Sequence, residues 1–99
     1  HHGLWTAQEN LIQHYKKGGG YHLLHYERTG MHTLSRQLAY MLYCNTLKNG
    51  GTRFPFQDKV LNAEQGKLVI WPADFTHPHR GVISPDEEKY IVTGWLEIA

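Results

Sequence analysis

His25 and Glu27 stand two residues apart in the run Tyr21-His22-Leu23-Leu24-His25-Tyr26-Glu27. On an extended chain, residues at that spacing project to one side, with Leu23 beside them. An imidazole and a carboxylate so placed can grip a divalent metal. Alone, a His-x-Glu pair is a weak signal, because it arises by chance in many proteins. The run Trp71-Pro72-Ala73-Asp74-Phe75-Thr76-His77-Pro78-His79-Arg80-Gly81 offers a third ligand and two candidates for it, His77 and His79. Lys89 follows ten residues after His79, and in an extended segment Lys89, Ile91, Thr93 and Trp95 share a side. Lysine ordinarily sits in water at a strand edge. Turned inward, it would offer a cation to a carboxylate.

Strands are needed to hold these groups. Glycine and proline punctuate the chain at Gly18–Gly20, Gly50–Gly51, Gly66, Pro72, Pro78, Gly81 and Pro85, with runs rich in Tyr, Ile, Val, Leu and Trp between them. That pattern predicts antiparallel strands near Leu11–Tyr15, Tyr21–Glu27, Leu38–Cys44, Thr52–Phe54, Lys59–Leu61, Lys67–Trp71, His79–Val82 and Tyr90–Ile98. Eight short strands fit a jelly roll of two packed sheets. Helical signal is confined to Thr6–Gln13, where Thr6 as cap and Glu9 in the capping-box position could hold about two turns. Leu38–Cys44, Leu68–Trp71 and Tyr90–Val92 are apolar on both faces, whereas a sheet with one wet face should alternate. These strands call for cover on the side away from the core, and the ten residues before Leu11 are too few to give it. The expectation is a missing covering layer or a partner, with self-association through the outer sheet face.

Composition narrows the function classes. Ninety-nine residues make at most one domain, able to bury roughly 60–65% of its unfolded surface. With 40% apolar and 19% charged residues this is a folding composition. A net charge of +1 argues against a nucleic-acid surface or a polybasic membrane patch. No apolar run approaches the ~18 residues of a membrane span and no signal peptide is visible. The single cysteine, Cys44, allows no internal disulfide and leans toward a reducing, cytoplasmic setting. It is read as a packing residue. Of the eight histidines, His1 and His2 read as remnants of a purification tag within an N-terminal segment, residues 1–10.

Taken together, these residues resemble a family. The succession is His25-x-Glu27, then Arg36 ahead of a strand ending Leu42-Tyr43-Cys44-Asn45, then Gly50-Gly51-Thr52-Arg53-Phe54-Pro55, Gly66 with Trp71-Pro72, His79, Lys89 and Trp95. It is similar to the iron(II) and 2-oxoglutarate-dependent dioxygenases of the prolyl-4-hydroxylase-like group, and the run Phe75-Thr76-His77-Pro78-His79-Arg80-Gly81 resembles small phage-type and bacterial members of it. The resemblance runs from Leu11 to Ile98, in the right order and at compatible spacing.

It implies an all-β fold, a double-stranded β-helix or cupin-like jelly-roll barrel, over residues 11–99, lacking the family's N-terminal helical layer. It implies an iron held by His25, Glu27 and His79, with positions open for 2-oxoglutarate and dioxygen; ascorbate is admissible as an accessory. Lys89 would pair with the far carboxylate of 2-oxoglutarate, and Thr93, Tyr43 and Tyr15 match positions around that co-substrate. Arg36, His77 and Trp95 fall near the substrate mouth. Counting back from Lys89 and Trp95 puts His79 on the distal histidine. His77 precedes Pro78, which favours an extended backbone outside regular pairing. The implied reaction hydroxylates an unactivated C–H bond, releasing succinate and carbon dioxide, on peptidyl proline or a small amino-acid-like molecule. The family usually has Asp where Glu27 stands, one methylene shorter. The rival readings are a cupin-type jelly roll that binds a metal or ligand without oxygenase activity, a metal-dependent isomerase or hydrolase, and a structural jelly roll. Only the oxygenase gives Lys89 a reason to face inward.

Overall fold

β-Branched and aromatic side chains stiffen an extended backbone and fill a pleated surface. In the computed structural model the runs they dominate are strands. The structure describes residues 4–6, 10–19, 24–28, 30 and 33–98. Its strands are β1 (Leu4–Thr6), β2 (Leu11–Tyr15), β3 (Arg36–Tyr43), β4 (Thr52–Phe54), β5 (Lys59–Leu61), β6 (Leu68–Pro72), β7 (Arg80–Gly81) and β8 (Lys89–Ile98), with a 3-10 turn at Pro55–Gln57.

The larger antiparallel sheet has the order β1-β8-β3-β6, and β2 also pairs with β8, opposite Lys89–Thr93. The smaller sheet has the order β5-β4-β7. The ten-residue β8 is the spine, contacted by β1, β2 and β3. Register puts Ala39, Met41 and Tyr43 of β3 beside Trp95, Thr93 and Ile91 of β8, and Val69 and Trp71 of β6 on the same face. That face packs on the smaller sheet, where the Phe54 ring meets Trp71 edge-on at 5.3 Å. Two buried clusters form the core. Tyr43, Leu47, Ala63 and Ile91 make one; Ala39, Phe54 and Trp71 make the other; Met41 and Val69 lean on both. This is the jelly roll, a double-stranded β-helix.

Gly51 is placed by close approach. A Cβ there would lie 1.7 Å from the Leu61 carbonyl oxygen, so no other residue lets β4 and the end of β5 meet as they do. Gly94 of β8 serves in the same way, since a Cβ would collide with the Tyr40 ring.

Three expectations need correction. The two helical turns over Thr6–Gln13 are not formed: Thr6 ends β1, and Leu11 and Gln13 lie in β2. Partners on β8 outweigh the local cap, and Glu9 lies outside the described residues. The described part of the expected Tyr21–Glu27 strand, residues 24–27, is not a continuous strand. Residues 21–23 lie outside the described residues, and His25 makes one isolated antiparallel bridge with His79. Cys44 is exposed and free rather than packed, because β3 ends at Tyr43.

The outer face of the large sheet is apolar. Ile12, Leu68 and Ile70 are 80%, 57% and 51% exposed. No helix among the described residues is long and apolar enough to cross a membrane.

Candidate metal centre and its cavity

Between the two sheets lies a cavity of about 240 Å³ that receives side chains from β2, β3, β4, β6 and β8 and from the segments around His25 and His79. At one side, His25, Glu27 and His79 bring one donor atom each to within 4.8 Å of one another. The reciprocal backbone bonds His25 N–H to the His79 carbonyl at 2.9 Å, and His79 N–H to the His25 carbonyl at 2.8 Å, hold the two segments together. Glu27 Oε1 lies 3.3 Å from Nε2 of each histidine.

Two donors sharing an ion at bonds of about 2.1 Å, with angles of about 90–105° between them, stand roughly 3.0–3.4 Å apart. The Glu27–imidazole edges match that figure, so the residues fit a divalent metal. Two nitrogens and a carboxylate on one face is a donor set suited to non-haem Fe(II). The longer arm of Glu27 still brings its oxygen between the two imidazoles.

The electrostatics suit a cation. Burial alone would push the Glu27 carboxyl up, but hydrogen bonds from His25 and His79 hold it well below the usual carboxylate range. His79 is buried, and its Nδ1 lies 3.0 Å from the His77 carbonyl oxygen. A carbonyl only accepts, so Nδ1 carries a proton; Nε2 faces Glu27 and, once its own proton is given up, would offer its lone pair to a metal.

Lys89 lines the same cavity and is 5% exposed. Burial lowers its pKa to about 8. Its Nζ donates to the Gly51 carbonyl at a long 3.4 Å and stands 5.8 Å over the Tyr43 ring. Among the described residues no carboxylate pairs with it. Thr93, Trp95 and Tyr15 also line the cavity, Tyr15 with its hydroxyl donating to Gln13 Oε1 at 2.7 Å.

The remaining expected residues sit further out. Tyr43 is fully buried one layer behind, its hydroxyl 2.6 Å from the Thr52 hydroxyl; burial raises its pKa against that bond. A register shift between Arg36 and Leu38 turns Arg36 inward, and its guanidinium stacks 3.9 Å over the Trp95 ring. The His77 ring lies beside Phe54, and its Nδ1 is engaged by the Thr76 hydroxyl. Gln13, Thr52 and Trp71 line the cavity without having been expected there as site residues. Gln13 shares strand parity with Tyr15, a signal available in the spacing. Trp71 and Thr52 stood in motifs but had no role until the sheets closed.

The chain matches the family model described as "2OG-Fe(II) oxygenase superfamily" over residues 11–97. Among solved structures it is similar to a viral collagen prolyl hydroxylase from Paramecium Bursaria Chlorella virus-1 (18% identity, TM-score 0.72, 91% of this chain and 61% of that one). It is similar to a prolyl-4-hydroxylase from Pseudomonas putida (19%, 0.69, 89% and 51%). A cupin protein from Bacteroides fragilis shares the fold at 10% identity (0.66, 89% and 64%). The chain thus spans about 60% of the viral protein and half of the bacterial hydroxylase. No curated protein matches it in sequence. The chain therefore belongs to the 2OG-Fe(II) oxygenase superfamily, the 2-oxoglutarate-dependent dioxygenases, with Fe(II) and 2-oxoglutarate as the family's cofactors.

Proposed function

We propose that this chain hydroxylates an unactivated C–H bond, with His25, Glu27 and His79 as the iron ligands and Lys89 as the anchor for 2-oxoglutarate. One observation carries the reading: a buried lysine that pairs with no carboxylate among the described residues lines the same cavity as the three converging ligands. An unpaired buried ammonium is costly, and a dicarboxylate chelated at the metal would satisfy it.

Bound iron supplies the redox chemistry that couples decarboxylation of 2-oxoglutarate to hydroxylation. The chain's residues hold and orient. Glu27 brings the negative charge, and the His77 carbonyl fixes the His79 tautomer. Lys89 holds the far carboxylate. Thr93 and Tyr15 offer hydroxyls along the cavity, and Tyr43 backs it through Thr52. Trp95 with Arg36 stacked on it forms one wall of the substrate side, and His77 stands near the mouth. The prolyl hydroxylases among its structural neighbours support peptidyl proline as the substrate class, with a small amino-acid-like molecule as the other candidate. The exposed outer face supports self-association in the same reading.

The test is succinate formation from 2-oxoglutarate under air with Fe(II), with proline-rich peptides and free amino acids supplied in turn. Succinate that requires Fe(II) and is absent in the His79→Ala variant supports the assignment. Succinate formation undiminished by His79→Ala contradicts it.

A further inference from the structure

A second set of hydrogen bonds surrounds the metal face, and Asp74 is at its centre. Asp74 Oδ1 accepts the backbone N–H of Thr76 at 2.9 Å and also the Thr76 hydroxyl. The Asp74 carbonyl accepts the N–H of His77 at 3.2 Å. Thr76 has one hydroxyl proton and gives it to Asp74, so His77 Nδ1, 2.8 Å from that oxygen, is the donor in their contact. Gln57 Nε2 caps the loop by donating to the Thr76 carbonyl at 2.8 Å. The loop so fixed aims the His77 carbonyl at His79 Nδ1.

The other Asp74 oxygen serves the opposite segment. Oδ2 lies 3.4 Å from the Arg28 guanidinium, and Arg28 directly follows Glu27. The Arg28 N–H is itself held by the Ala73 carbonyl at 2.8 Å. One carboxylate therefore ties the loop leading into His79 to the segment carrying His25 and Glu27.

We infer that Asp74 is a positioning residue for the metal face, clamping the Glu27–Arg28 segment to the His77–His79 loop so that His79 is presented to the metal. This rests on the ligand assignment proposed above. Groups that orient metal ligands through hydrogen bonds typically change metal affinity by roughly 10–100-fold when removed.

The test is an anaerobic titration of the metal-free full chain with Co(II), followed by calorimetry and ligand-field absorption. Wild type should bind, and His79→Ala should not. Asp74→Ala should bind roughly 10–100-fold more weakly, with altered ligand-field bands and an unchanged melting temperature of the metal-free protein. Asp74→Asn keeps the oxygen that accepts both Thr76 bonds but turns an N–H donor toward the Arg28 guanidinium, and should bind more weakly than wild type. Wild-type affinity and bands in Asp74→Ala would overturn the positioning role while leaving the metal centre standing. Asp74→Asn at wild-type affinity would overturn the tie to Arg28. No Co(II) binding by wild type removes the ligand assignment itself, and the inference with it. Should Asp74→Ala not fold, Arg28→Ala removes the other half of the tie, and an undiminished affinity there overturns the clamp.

Discussion

His77 and His79 are two residues apart, yet the backbone gives them different work. His79 is buried with its Nδ1 proton committed to a carbonyl and its Nε2 beside Glu27. His77 turns its ring to Phe54 and Thr76. We expect His79→Ala to abolish Fe(II) binding, and His77→Ala to keep the affinity within about threefold, read by anaerobic calorimetry; metal lost in the His77 variant and kept in the His79 variant would reverse the assignment. Lys89→Ala should weaken 2-oxoglutarate about ten- to a hundredfold with metal binding intact, the worth of a charge-assisted bond of roughly 1.5–3 kcal/mol. The pH dependence has a definite sign. Burial brings the Lys89 pKa to about 8, and a bound carboxylate raises it again. Affinity should be flat below about pH 8 and fall above it, by up to about tenfold per unit. Lys89→Arg should remove the fall, because guanidinium stays charged. For folding the sign is opposite: between about 8 and the unfolded value of 10.5 the unfolded chain binds more protons, so the metal-free protein gains stability as pH rises through that window. Most of these residues were legible from spacing: a pair two apart, a histidine near a proline, a lysine ten residues on. Asp74 was not, because Thr76 is its near neighbour in sequence but Arg28, 46 residues away, meets it only in the fold.

At the scale of elements, strand order does the positioning. The register of β8 against β3 and β2 lays Lys89, Ile91, Thr93 and Trp95 along one inward face, as alternation from Lys89 indicates. β4 and β5 stand where β-branched and aromatic residues between glycines placed them. The stretch before Leu11 misled, because a Thr-x-x-Glu pattern reports only local preference, whereas pairing with β8 is a long-range gain. The Arg36–Leu38 irregularity was equally invisible, since a bulge turns a side chain to the other face without changing the composition. Gly51 gives this level its own test. Gly51→Ala must displace the Leu61 carbonyl, which would lie 1.7 Å from the new Cβ. We expect a loss of roughly 1–3 kcal/mol in chemical denaturation; wild-type stability would contradict the close approach.

Across the whole molecule the two faces of the large sheet divide the labour. The inner face builds the cavity and the cores. The outer face leaves Ile12, Leu68 and Ile70 in solvent, as the doubly apolar strands foretold. Replacing Leu68 and Ile70 by Lys should lower self-association in sedimentation experiments while leaving metal affinity unchanged, because both side chains point away from the cavity. An unchanged association state of an associating wild type would place the contact elsewhere. The jelly roll was legible from turn spacing and strand composition; the cavity was not, since its wall needs both sheets in place. One centre is expected to serve metal and co-substrate together. The measurement that tests it most directly is an anaerobic titration of the metal-free chain with Fe(II) and then 2-oxoglutarate, followed in the visible range. The expected result is a weak charge-transfer band that saturates with 2-oxoglutarate, bleaches on admitting air and is lost in His79→Ala. Iron binding with no band at saturating 2-oxoglutarate would contradict it and leave a metal-binding jelly roll without the oxygenase chelate.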